Sequence, residues 1–222
     1  MADDRSRRGT AYHSPDLLAY VQRVHAKHDT ALEAAFSAPA RLGLPAIQVA
    51  PSEGRFLQVL LRLAGAKKVV EIGSLAGYSA IWIARALTPG GHLWSVEAEP
   101  AHTEATRESL RNAGLLDAVT VVEGKALDVL PSLERFGPFD AVFIDADKGN
   151  YDRYGAWAAE HLRPGGLVIA DNAFFFGGLL DDTPDAQAVR RFHERAKVDF
   201  ESACISTPDG FLVGVRKGIS PG

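Results

Sequence analysis

The chain has 222 residues, of which 46% are hydrophobic and 23% charged, proportions that suit one soluble domain with a well-buried core. A net charge of −4 and a pI near 6.0 weigh against broad electrostatic capture of nucleic acid or an anionic membrane and favour a small-molecule partner. Cys204 is the single cysteine, which excludes an intrachain disulfide and fits a reducing compartment such as the cytoplasm, and no apolar run reaches the ~18 residues that span a bilayer.

Residues 1–12 lack the apolar stretch of a signal peptide and carry Arg5, Arg7 and Arg8 beside Asp3 and Asp4, so they read as a flexible, solvated tail. A single domain over 13–222 is expected, opening with leading helices at about 13–65. From Pro15 to about Phe36, the residues Leu17, Leu18, Val21, Val24, Ala31, Leu32 and Ala35 recur near helical spacing and predict one amphipathic helix. Loop punctuation follows over Leu42–Pro51, and Ser52 and Glu53 open a second helix carrying Phe56, Leu57, Leu60, Leu61 and Leu63.

Strands and helices then alternate. Strands are predicted at about 68–72, 92–97, 118–123, 139–145 and 165–171, with helices near 77–88, 100–114, 125–134, 150–162 and 184–197. Repeated βαβ units imply a mostly parallel sheet with right-handed crossovers and helices on both faces. The runs Phe200–Ile205 and Phe211–Arg216 flank a Ser-Thr-Pro-Asp-Gly turn signal and read as a closing antiparallel hairpin.

The carboxyl-terminal ends of parallel strands line the ligand crevice of such sheets, and here four of them carry polar residues. After the first, Gly73 and Gly77 permit close backbone approach at a strand-to-helix turn suited to a negatively charged ligand group, or serve packing alone. The spacing departs from the Gly-x-Gly-x-x-Gly dinucleotide fingerprint, which disfavours a nicotinamide-dependent oxidoreductase. The second strand ends in Glu97, placed to accept both hydroxyls of a ribose or else an exposed charge. The fourth ends in Asp145 with Lys148 three residues on, and the fifth in Asp171 and Asn172. If those two strands are neighbours, two carboxylates and an amide oxygen form a set suited to Mg²⁺, with a lysine beside it as a potential base; the alternative is helix caps and turn residues. His102, His161 and His193 lack metal-ligand spacing and read as solvated or core-edge histidines, and Trp82, Trp94 and Trp157 as packing residues.

The chain resembles the S-adenosylmethionine-dependent methyltransferases of the Rossmann-like class I fold, in particular the cation-dependent O-methyltransferases related to catechol and caffeoyl-CoA O-methyltransferases. The matching segments are 52–57, 70–79, Glu97, 124–127, 139–151, Asp171-Asn172 and 209–211, in order, from about residue 40 to the end. The resemblance implies a seven-stranded, mostly parallel sheet. It implies that Glu71, Gly73, Ser79, Glu97, Ala126 and Asp145 bind the cofactor, that Asp145, Asp171 and Asn172 hold Mg²⁺ (or Mn²⁺ or Ca²⁺), and that Lys148 is the general base. Ile47-Gln-Val49 departs from the family's usual Met and small hydroxyl residue, and Phe174-Phe175-Phe176 replaces a common Leu-Trp pattern, walling an acceptor pocket or filling core. The expected activity is O-methylation of a small aromatic acceptor with adjacent hydroxyls, in a cytoplasmic homodimer. The competing readings are a tRNA hydroxyuridine methyltransferase on the same scaffold and a non-catalytic cofactor-binding protein.

Overall fold

A computed structural model of the protein describes residue 3 and residues 14–218. The expected tail with Arg5, Arg7 and Arg8 lies outside the described residues, apart from residue 3. The sheet has seven strands in the order β3-β2-β1-β4-β5-β7-β6. They are β1 (Lys68–Ile72), β2 (His92–Glu97), β3 (Val119–Glu123), β4 (Phe139–Ile144), β5 (Leu162–Ala170), β6 (Phe200–Ile205) and β7 (Phe211–Arg216). The first five run parallel, and β7 pairs antiparallel with both β5 and β6, as the hairpin reading expects.

Period-two alternation divides the core between the two faces of the sheet. Val70, Val142 and Val168 join one apolar cluster, while Val69, Phe143 and Ile169 join another. Helices α6 (Ala126–Leu133), α7 (Tyr151–His161) and α8 (Pro184–Asp199) cover the first through Leu130, Trp157 and Phe192. Helices α2 (Thr30–Leu42), α3 (Pro51–Leu63), α4 (Tyr78–Ala84) and α5 (Pro100–Asn112) cover the second through Leu32, Leu57, Trp82 and Leu110. Strands buried on both faces are continuously apolar, which is why they were legible as runs.

The leading helix differs from expectation. It is two helices, α1 (Pro15–His25) and α2, broken at residues 26–29. The apolar series is interrupted between Val24 and Ala31, and Asp29 caps α2 by accepting from the Leu32 amide at 3.0 Å. Within the break His28 turns inward, with Nε2 2.7 Å from the Tyr78 hydroxyl and Nδ1 2.8 Å from Glu33. Helix α1 buries none of its residues. Strand β5 starts three residues earlier than predicted, because Leu162 pairs with Phe139 ahead of a register shift. Helix α4 ends at Ala84, short of the predicted 88.

The chain steps outward from β1 to β2 and β3, then returns to place β4 on the other side of β1. That reversal opens a crevice beyond the carboxyl ends of β1 and β4, the usual ligand position in open α/β sheets.

Candidate active site

A cavity of about 1000 Å³ occupies this crevice, lined by residues from the ends of β1, β2 and β4, from the loops after β3 and β5, and by Ile47, Gln48 and Val49. Gly73, Ser79, Glu97, Ala126, Asp145, Lys148 and Asn172 all line it. Glu71 and Asp171 stand behind that lining, 0% and 5% exposed.

On the β1–β2 side the backbone is pulled tight. Gly73 has φ +95°, and a Cβ there would lie 2.0 Å from the Asp145 carbonyl oxygen, so only glycine lets the end of β1 touch the end of β4. The following turn holds Leu75 at φ 51°. Glu97 braces it: one carboxylate oxygen accepts from the Ser74 and Leu75 amides at 3.1 and 2.9 Å, and the other accepts from the Glu99 amide at 3.1 Å. His102 approaches that second oxygen at 3.5 Å and lines the cavity, a placement its sequence spacing did not reveal. Beneath the turn, the Glu71 carboxylate accepts from the Ser79 and Ser95 hydroxyls, each at 2.5 Å. Complete burial raises the Glu71 pKa to about 7 despite those two donors. Its placement is that of a support under the glycine turn.

Across the crevice, β4 and β5 are adjacent, which meets the condition placed on the acidic ends. The Asp171 amide donates to the Ile144 carbonyl at 3.0 Å, keeping the two ends level. Lys148 Nζ lies 3.2 Å from Asp145 Oδ1 and donates to the Tyr151 hydroxyl at 2.6 Å. Asn172 sits at φ 51°, a left-handed conformation that asparagine tolerates better than most residues. Burial, then the Asp145 charge, then Glu53 push the Asp171 pKa up to about 8. Asp145 is raised as well, first by burial, with Lys148 opposing and Asp209 adding to the rise.

This crowding of acids tests whether a cation belongs here. Among the described residues no three His, Cys, Asp or Glu side chains form a ready-made metal cluster. Asp145, Asp171 and Asn172 offer two carboxylates and an amide, an all-oxygen donor set of the kind hard divalent cations take. The Asp145 charge raises Asp171 and the Asp209 charge raises Asp145, a crowding that a cation relieves, and one buried oxygen of Asp209 has no hydrogen-bond partner among the described residues. The residues fit a hard divalent ion.

The three phenylalanines after Asn172 divide. Phe175 packs against the core, while Phe176 stands 72% exposed at the cavity rim. Both have left-handed backbones, and the turn is held from the β6–β7 hairpin, where Asp209 accepts from the Phe174 amide through its carbonyl and from the Phe176 amide through its carboxylate at 2.7 Å. Of the remaining histidines, His193 bonds the Ala173 carbonyl at 2.8 Å and His161 lies 3.4 Å from Glu134, both at core edges as read.

Comparison with known proteins matches residues 22–217 to the sequence profile described as O-methyltransferase. The chain belongs to this O-methyltransferase family. A catechol O-methyltransferase of Niastella koreensis is 45% identical over 183 residues, 80% of each chain. Another of that name, from Mycobacterium tuberculosis, is 43% identical over 175 residues, 79% of each. Among solved structures, the O-methyltransferase TomG of Streptomyces achromogenes, involved in tomaymycin synthesis and bound to S-adenosylmethionine, superposes with a TM-score of 0.88 at 35% identity, covering 98% of this chain and 100% of TomG. In this O-methyltransferase Gly73 of the glycine turn, Asp145 and Asn172 line the same cavity.

Proposed function

We propose that this O-methyltransferase methylates one hydroxyl of a small aromatic acceptor bearing adjacent hydroxyls, using S-adenosylmethionine and Mg²⁺, with Mn²⁺ or Ca²⁺ as substitutes in the same ligands. The observation that carries the proposal is that Gly73 and Glu97, on one side, and Asp145, Lys148 and Asn172, on the other, line a single cavity. Relatives named catechol O-methyltransferase at 43–45% identity support the acceptor class.

S-adenosylmethionine supplies an electrophilic methyl group on a sulfonium. A divalent cation bound there would supply positive charge that lowers the acceptor's hydroxyl pKa. The protein's own residues do the rest. The Gly73 turn and Glu97 bind and orient the cofactor, with Ala126 beside the adenine, Glu71 and Ser79 supporting the turn, and Asp145 facing both halves of the site. Asp145, Asp171 and Asn172 hold the cation. Lys148 Nζ accepts the acceptor's proton, Phe176 closes the rim against an aromatic ring, and the apolar walls Ile72 and Val96 keep water from the charges being neutralised.

No helix among the described residues is long and apolar enough to cross a membrane. A cytoplasmic homodimer remains part of this proposal. It is supported by the lone exposed Cys204 and by α1, whose Leu17, Tyr20 and Val24 are 46%, 55% and 51% exposed.

The test is transfer of labelled methyl to catechol, caffeate and a flavonoid catechol, with tRNA carrying hydroxyuridine as a further arm, each with Mg²⁺ and with excess EDTA. The proposal expects product from the catechols with Mg²⁺ alone. Undiminished product in EDTA, or product from tRNA only, overturns it.

A further inference from the structure

Tyr151 closes the motif that begins at Phe139, yet neither the cofactor side nor the acidic set accounts for it. It is 0% exposed and opens α7, its ring edge-on to Phe192 at 5.8 Å. Its hydroxyl makes two strong contacts. It donates to the Asp171 carbonyl at 3.0 Å, the nearer of two carbonyls in reach, and it accepts from Lys148 Nζ at 2.6 Å. Having spent its only hydrogen on a backbone carbonyl that can only accept, the phenol meets Lys148 as an acceptor.

The consequence lies in counting hydrogens on Lys148. A neutral amine, the form able to take up a proton, has two N–H bonds and one lone pair. Tyr151 Oη and Asp145 Oδ1 are two acceptors at 2.6 and 3.2 Å, and together they engage both hydrogens. The lone pair is left over, on a side chain that lines the cavity. Tyr151 also ties the amine to the end of β5, so base and acidic set move as one body. We infer that Tyr151 is a positioning residue that fixes the direction of the Lys148 lone pair through a hydroxyl bridge to the Asp171 backbone. This inference rests on the general-base reading of Lys148 above.

In the step it serves, the acceptor's O–H proton moves to Lys148 Nζ. The electron pair left on oxygen forms the new O–CH₃ bond while the methyl–sulfur bond breaks and leaves its pair on sulfur. The ammonium formed on Lys148 retains both hydrogen bonds, since each acceptor is unchanged by the transfer. A misdirected lone pair costs rate without costing affinity, because the amine is asked to act only as the bond to hydrogen breaks.

The experiment is a double-mutant cycle on the full chain with catechol, S-adenosylmethionine and Mg²⁺. Tyr151→Phe removes one oxygen and keeps the packed ring. It is expected to lower kcat roughly 10–100-fold, with the KM for both substrates and the Kd for S-adenosylhomocysteine within about 2-fold of wild type. In the Lys148→Ala background the same change is expected to lower kcat by less than about 2-fold, because its effect runs through the lysine. Thermal melting and S-adenosylhomocysteine binding report whether each variant is folded. If Lys148→Ala itself leaves kcat unchanged, the general-base reading fails. If Lys148→Ala is crippled while Tyr151→Phe keeps full kcat, or if Tyr151→Phe is equally damaging in both backgrounds, Tyr151 is structural and the inference is overturned.

Discussion

The two sides of the crevice treat their carboxylates in opposite ways. On the β1–β2 side each acid is satisfied by the protein: Glu71 takes two serine hydroxyls and Glu97 takes three backbone amides. On the β4–β5 side the acids crowd one another, with the Lys148 amine nearby and an oxygen of Asp209 that has no hydrogen-bond partner among the described residues. The first side is complete without a ligand and is expected to bind the cofactor in any metal state. The second is electrostatically unfinished, and the proposed cation would finish it. Such a division separates cofactor affinity from turnover, and substitutions on each side expose the separation.

The largest effect is expected from Asp171→Ala, which removes a proposed cation ligand along with a buried charge. Turnover is expected to fall more than about 10³-fold and to stop responding to added Mg²⁺, while cofactor affinity by calorimetry stays within a few-fold. A parallel loss of cofactor binding would show that the two sides are one unit after all.

Lys148→Ala comes next, with kcat lowered by roughly 10²–10⁴, the range for a positioned acid–base group, and cofactor and Mg²⁺ affinities nearly intact. Lys148→Arg is expected to give no rescue at neutral pH, because a guanidinium cannot release its proton there. Near-wild-type kcat in the alanine variant would assign activation to the cation alone.

On the complete side the effects are smaller and fall on affinity. Glu97→Gln keeps the shape but loses the charge that three amides share, so S-adenosylmethionine binding is expected to weaken by about 1–3 kcal/mol with little change in Mg²⁺ response. Retained affinity would mean that Glu97 braces the turn and does not touch the ribose.

How much of this was legible without coordinates follows the same division. The parallel strands and the hairpin were readable because strands buried on two faces are continuous apolar runs, and Asp145, Asp171 and Asn172 because polar residues end such runs at the crevice. The break at His28 was missed because helical spacing alone bridges a gap of one turn or two, although Asp29 is itself a capping residue. Phe174, Phe175 and Phe176 were indistinguishable as a run, since their division between core and rim is set by the left-handed backbone that Asp209 holds from another hairpin. His102 and Tyr151 look ordinary in the sequence for a different reason: a histidine five residues after Glu97 and a tyrosine three residues after Lys148 are local neighbours, and only the turn and helix start between them show that their side chains meet.

The smallest effect tests whether the complete side is complete at every pH. Burial raises the Glu71 pKa from its ordinary value of 4.5 to about 7. A carboxyl raised on folding binds more protons in the native state than in the unfolded state between those values, so its contribution is fully present below about pH 4.5 and is lost as pH rises through 7. The native protein therefore gives up about 1 kcal/mol of stability from this one group between pH 6 and pH 8. Glu71→Gln cannot titrate. An amide can still receive one serine hydroxyl and donate to the other serine, so the variant is expected to be folded and to lack that slope. The measurement is urea unfolding of both proteins at pH 6 and pH 8, read as the change in their stability difference. The gap should move by about 1 kcal/mol in favour of the glutamine at the higher pH. A gap that does not move would mean that the two short serine hydrogen bonds keep Glu71 ionised at both values, making its burial better compensated than its depth alone implies.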